Sequence, residues 1–220
     1  MPIDLPTVWA GIIAFAVLAY VVLDGFDLGV GILFPFFPAR QDRDLMTNSI
    51  APVWDGNETW LVLGGGGLMA VFPAAYATVL PALYIPIILM LLGLIFRGVA
   101  FEFRWRTQRA SHYWDYGFWI GSTIAAFTQG VALGALVQGI AIADRQYVGG
   151  WWDWLTPFSI LTGLSVLVGY GLLGACWLNL KTLGDIQQRA RRMAMITGGL
   201  LIVAIGAVSL WSPFINAVYF

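Results

Sequence analysis

The length of its uncharged stretches is what most constrains this chain. Runs of about 20 apolar residues recur along it, the length that carries an α-helix across a bilayer's hydrocarbon core. On that criterion residues 8–34, 58–75, 78–96, 116–142, 155–180 and 193–213 are the expected spans. They predict an all-α fold, a polytopic transmembrane helical bundle of about six spans. Composition agrees, with 60% hydrophobic and 10% charged residues where an average globular domain has about 25% charged. That leaves too little polar surface to cover a soluble fold. The 11 Trp, 14 Phe and 8 Tyr exclude disorder and suffice for aromatic belts at both membrane surfaces. Residues 1–220 are expected to form a single integral membrane domain.

The connections set the orientation. Phe72-Pro73-Ala74-Ala75-Tyr76 is the only separation between the second and third expected spans, and an uncharged, proline-marked turn there reads as a transmembrane hairpin. Longer connections run from Arg40 to Asp44, Arg104 to His112, Asp144 to Trp154 and Lys181 to Arg192. Every Lys and Arg except Arg145 follows the first, third or fifth span. By the positive-inside rule the Arg-rich loops are cytoplasmic and the N-terminus faces outward. Met1-Pro2-Ile3-Asp4 lacks a basic region and the first cation is Arg40, so no cleavable signal peptide is expected and the first apolar segment stays as a span. A net charge of -1 argues against nucleic acid, whose binding rests on clustered cations. The single Cys176 excludes an intrachain disulfide and reads as a small buried hydrophobe.

Glycines fall inside the spans. Gly25–Gly29, Gly117–Gly121 and Gly130–Gly134 have the spacing of two small residues four apart that lets helix backbones approach in lipid. Gly64-Gly65-Gly66-Gly67 lacks the Lys-Ser or Lys-Thr of a phosphate loop and is expected to pack against a neighbouring helix.

Charged groups inside hydrocarbon are costly and mark function. Asp24 and Asp27 lie within the first span at a spacing that puts both on nearly one face. Trp54-Asp55-Gly56-Asn57-Glu58-Thr59-Trp60 opens the second span, and the third ends at Phe96-Arg97. Asp24, Asp27, Asp55, Asn57, Glu58 and Arg97 are therefore expected in the cytoplasmic half at similar depth. Three readings stay open. In a proton path, burial and a nearby guanidinium pull a carboxyl group's proton affinity in opposite senses, leaving groups that exchange protons. In a structural reading, Asp55 caps the second helix with Glu58 as its partner and Asp27 pairs with Arg97. In the third, the cluster takes a cation or polar solute, as in an ion-coupled transporter. No catalytic side chain and no metal site is expected. The one histidine, His112, falls in an Arg-rich loop and reads as solvated or headgroup-facing. Met69 and Met90 have no companion histidine for a haem and read as packing.

Asp24-Gly25-Phe26-Asp27-Leu28-Gly29-Val30-Gly31, residues 48–60 from Asn48 to Trp60, and Phe96-Arg97-Gly98-Val99-Ala100-Phe101-Glu102 together resemble subunit II of the cytochrome bd-type ubiquinol oxidases. Trp151-Trp152-Asp153-Trp154-Leu155-Thr156-Pro157-Phe158 and Gly169-Tyr170-Gly171-Leu172-Leu173-Gly174-Ala175 continue the resemblance in order. It implies a terminal oxidase of bacterial aerobic respiration in the inner membrane, with quinol as substrate and O2 reduced to water. Haems b and d and the quinol site are then expected on the partner, subunit I, and a small accessory subunit and membrane lipid are further expected partners. The resemblance also implies a proton pathway through Asp55, and a structural quinone or lipid bound in subunit II whose contacts are not assigned. Family members have eight spans in two four-helix repeats. The expected first repeat is about 7–143, with helices of a second over about 154–213, so a truncated chain is expected. A purely structural subunit is the remaining alternative.

Overall fold

The computed structural model describes residues 4–107 and 111–215. The described helices are α1 (Leu5–Ile32), α2 (Arg40–Ile50), α3 (Trp54–Val71), α4 (Pro73–Ala82), α5 (Tyr84–Arg106), α6 (Ser111–Gln138), α7 (Pro157–Lys181) and α8 (Asp185–Trp211). Asp4 starts α1 by accepting from the Thr7 amide at 3.0 Å. Thr156 and Ser159 form a reciprocal capping box on α7, with Pro157 in its first turn. α5, α6, α7 and α8 pack in sequence order, while α1 lies against α7, α3 and α6. Consecutive antiparallel helices bring the ends at Ile32, Trp54, Arg106, Ser111, Lys181 and Asp185 to one end of the bundle.

Among the described residues, five helices are long and apolar enough to cross a membrane: α1, α5, α6, α7, and α8 with its extension to Phe214. The chain is a polytopic helical membrane protein. α3, the counterpart of the expected span 58–75, is not among them. Its 18 residues reach about 27 Å, but Asp55, Asn57 and Glu58 make its first turns polar.

The expected hairpin turn at 72–76 is instead the start of a ten-residue helix. Phe72 (φ -125°, ψ 59°) ends α3, and Pro73 then starts α4, because its missing N–H is no loss in a first turn. The next break, at Leu83, has a proline cause as well: Pro86 has no amide hydrogen to give the Ala82 carbonyl. The third expected span, 78–96, accordingly begins later, and it runs on through Arg104 to Arg106. Arg97 is thus inside a helix rather than at its end, and the loop expected from Arg104 to His112 shrinks. Arg109 lies outside the described residues. The Lys181–Arg192 connection shortens likewise, because α8 begins at Asp185. Between α6 and α7, Ile142–Ala143 and Gln146–Tyr147 form a small antiparallel hairpin whose two turn residues, Asp144 and Arg145, have φ of 50° and 62°, as a type I′ turn requires.

The three spaced glycine pairs all lie at helix crossings. A Cβ on Gly29 would overlap the Tyr170 carbonyl oxygen, and one on Gly174 would fall on the Gly29–Val30 backbone, so α1 and α7 touch main chain to main chain. Gly93 and Gly121 do the same for α5 and α6, where a Cβ on Gly121 would stand 2.6 Å from the Gly93 oxygen. Gly130 abuts Gly163 between α6 and α7. Within the four-glycine run only Gly64 and Gly67 face α1, at Val17 and Ile13, while Gly65 and Gly66 meet nothing. Cys176, expected to be buried, and Met69, expected to pack, are both exposed. Gly29→Val is expected to wedge α1 from α7 at about 3 kcal/mol, lowering the thermal midpoint of the purified protein. Gly65→Ala, on an open face, should leave it unchanged.

Candidate functional site

α1 presents Tyr20, Asp24 and Asp27 on one face, each a turn from the next, all buried. α3 runs beside α1 and brings Asn57 and Glu58 to the same depth, and α5 supplies Arg97 from the far side. The Arg97 guanidinium, 1% exposed, donates through Nη1 to Asp24 Oδ1 at 3.3 Å and to Glu58 Oε1 at 2.5 Å. Asn57 Nδ2 donates to Asp27 Oδ2 at 2.7 Å and to the Leu23 carbonyl at 3.3 Å. The guanidinium also lies 5.7 Å from the Trp54 ring centroid and 5.9 Å from that of Phe118, within cation–π range. Among the described residues, Arg97 Nε and Nη2, Asp24 Oδ2 and Asp27 Oδ1 have no hydrogen-bond partner.

Five of the six expected site residues therefore converge, and two expected pairings change. Asp27 bonds to Asn57, while Arg97 takes Asp24 and Glu58. Asp55 does not cap α3: the helix starts at Trp54 behind Val53, with no side-chain cap. Asp55 is instead an exposed carboxylate in the first turn, where the helix dipole favours it. It is an electrostatic neighbour of Glu58, whose side chain is 25% exposed. From Asp55 through Glu58 to Arg97 and Asp24, exposure falls from open to none.

A second buried ionic group was not expected from the sequence. Arg104, 3% exposed, donates through Nε to Asp115 Oδ1 at 2.6 Å and pairs through Nη1 with Asp44 Oδ1 at 2.7 Å. Arg43 reaches the other Asp115 oxygen at 2.9 Å and the Phe37 carbonyl at 2.8 Å. These contacts pin α2, the connector from α1 to α3, onto α5 and α6. The available signal was the spacing of Arg97 and Arg104, two turns apart on one helix face. It was obscured because α5 was expected to end at residue 96. Both guanidinium groups touch one aromatic cluster, in which Phe34 stands 4.9 Å from Phe118 and Phe101 stands 5.1 Å from Trp54. A third polar group, Tyr20, Gln129 and Tyr170, joins α1, α6 and α7 deeper in the bundle. Gln129 within an apolar run was its only sequence signal.

The described residues do not fit a haem, which needs axial His or Met side chains facing one another inside the bundle. His112 is exposed at the start of α6 against the Tyr113 ring, 4.0 Å between centroids. Met46 is buried among aromatic and aliphatic side chains.

Removing one member of a buried ion pair leaves the other charge uncompensated. Arg97→Met is therefore expected to destabilise the protein by about 3–5 kcal/mol, read as a lower thermal midpoint in detergent. Adding Asp24→Asn and Glu58→Gln to that variant should recover most of the loss.

The profile of the family described as Cytochrome bd terminal oxidase subunit II matches residues 5–220. Cytochrome bd-I ubiquinol oxidase subunit 2 of Escherichia coli K12 is 34% identical over 215 residues, covering 93% of this chain and 56% of that protein. Cytochrome bd ubiquinol oxidase subunit 2 of Bacillus subtilis 168 is 37% identical over 215 residues, covering 96% of this chain and 64% of its own length. The chain thus spans 56–64% of the length of these relatives. It belongs to the cytochrome bd terminal oxidase subunit II family.

Proposed function

We propose that the chain is the haem-free membrane subunit of a bd-type quinol:O2 oxidoreductase in a bacterial cytoplasmic membrane. It pairs with a haem-bearing subunit I, which holds haems b and d and oxidises quinol. This chain's residues contribute a proton route from the cytoplasmic face toward the site where O2 becomes water. The Arg-rich end of the bundle is cytoplasmic under the positive-inside rule. Region 7–143 serves as the first four-helix repeat, and 154–213 opens the second.

One observation carries this reading: the graded line of acids from exposed Asp55, through Glu58, to buried Asp24 on Arg97. Asp55 collects protons at the membrane surface, and its neighbour Glu58 passes them inward. Arg97 supports the ionised forms, and Asn57 holds Asp27 beside them. Two carboxylates, Asp24 and Glu58, pair with a single guanidinium, and Asp27 is held one turn away on Asn57, which is more acid than ion pairing needs. Charge matching alone would be met by one carboxylate. An ion-coupled transporter is less well supported, because the guanidinium occupies the centre of the cluster, where a transported cation would sit.

In the assembled complex, Asp55→Asn is expected to lower O2 consumption about tenfold, equivalent to about 1.4 kcal/mol in barrier, while Asp55→Glu retains most of it. Wild-type turnover in Asp55→Asn with normal assembly and haem content would overturn the proton-entry role.

A further inference from the structure

The Tyr20, Gln129 and Tyr170 side chains have no part in the route just described, yet they form a directed string. Tyr170, 5% exposed, donates its only hydroxyl proton to Gln129 Oε1 at 2.7 Å. That contact commits the amide oxygen and turns the amide nitrogen the other way. Gln129 Nε2 accordingly donates to the Tyr20 hydroxyl oxygen at 2.8 Å. Tyr20, 4% exposed, therefore accepts along the string, and its own proton is the one left uncommitted. A phenol hydroxyl both donates and accepts, and a buried donor left unused is costly.

Asp24 stands one turn along α1 from Tyr20, on the same buried face. Its Oδ1 faces Arg97, while its buried Oδ2 has no hydrogen-bond partner among the described residues. We propose that Tyr20 is a positioning residue that donates its hydroxyl proton to the Asp24 carboxylate, with its direction set by Tyr170 and Gln129. Asp24 is then held from two sides, by Arg97 of α5 and by a donor string running through α6 and α7. The string orients and does not conduct. An amide relays a proton only by passing through its imidic acid form, so Gln129 closes this branch, and protons arriving at Asp24 do not continue along it.

The consequence for turnover rests on the proposed proton route, whereas the hydrogen bond itself does not. The test is infrared spectroscopy of the assembled complex, following the carboxyl bands that vanish in Asp24→Asn. Tyr20→Phe, which removes one oxygen and keeps the ring, is expected to shift those bands. Gln129→Leu and Tyr170→Phe should shift them in the same direction and by progressively less. Tyr170→Phe also serves as the measurable variant if Tyr20→Phe assembles poorly. Unmoved Asp24 bands in Tyr20→Phe, or in Tyr170→Phe where Tyr20→Phe does not assemble, would overturn the assignment. A band shift together with full turnover in Asp24→Asn would remove Asp24 from the proton route while leaving the Tyr20 assignment standing.

Discussion

The buried charge of Arg97 is the constraint around which the bundle is arranged. Transferring such an ion from water to a low-dielectric interior costs on the order of 20 kcal/mol in the idealised limit, and several kcal/mol after relaxation. A chain that places a guanidinium at 1% exposure must bring acids to it from other helices. α1 and α3 do so, with Asp24 and Glu58. The polar opening of α3, which keeps it out of the helices apolar enough to cross a membrane, follows from that requirement. Trp54 and Phe118 complete the shell with ring faces, which offer negative potential without a further desolvated charge.

Arg104 repeats the arrangement two turns along α5, with Asp44 and Asp115 as its acids. The two groups differ in balance. Around Arg104 and Arg43, two cations meet two carboxylates, an even match suited to holding α2 in place. Around Arg97, two carboxylates, Asp24 and Glu58, meet one cation. Charge is thus uneven in one cluster and even in the other, with one group of packed aromatic rings between them. α2 links them mechanically, because it connects the helix carrying Asp24 to the helix carrying Glu58.

Much of this was legible in the sequence. Asp24, Asp27 and Arg97 stand out because charge is rare in apolar runs, and helical spacing alone puts the two aspartates on one face. The spaced glycines were equally readable, since close approach in lipid leaves few other options. The helix limits around residues 72–86 were not. Proline both stops and starts helices, and the outcome at Pro73 and Pro86 depends on which carbonyl is left unbonded. Hydropathy also ended α5 too early, because an arginine in an apolar run scores as a boundary whether or not its acids lie elsewhere in the chain. Asp44 and Asp115 are 60 and 11 residues from Arg104, and only the fold brings them together. The part of the site that depends on long-range pairing, including which carboxylate takes Arg97, was therefore hidden.

The contact between Gly29 and Tyr170 joins the packing of the bundle to its chemistry. The main chain of Tyr170 is the surface on which α1 rests, and its side chain begins the string that reaches Tyr20. One residue thus acts as spacer and donor, so the separation of α1 from α7 also sets the reach of the phenol. Gly29 carries no polar atom, yet it works as a gauge block for hydrogen-bond lengths two turns away along α1. In a comparison of related chains, bulk gained at that position would have to be matched by altered polar side chains at positions 20, 129 or 170.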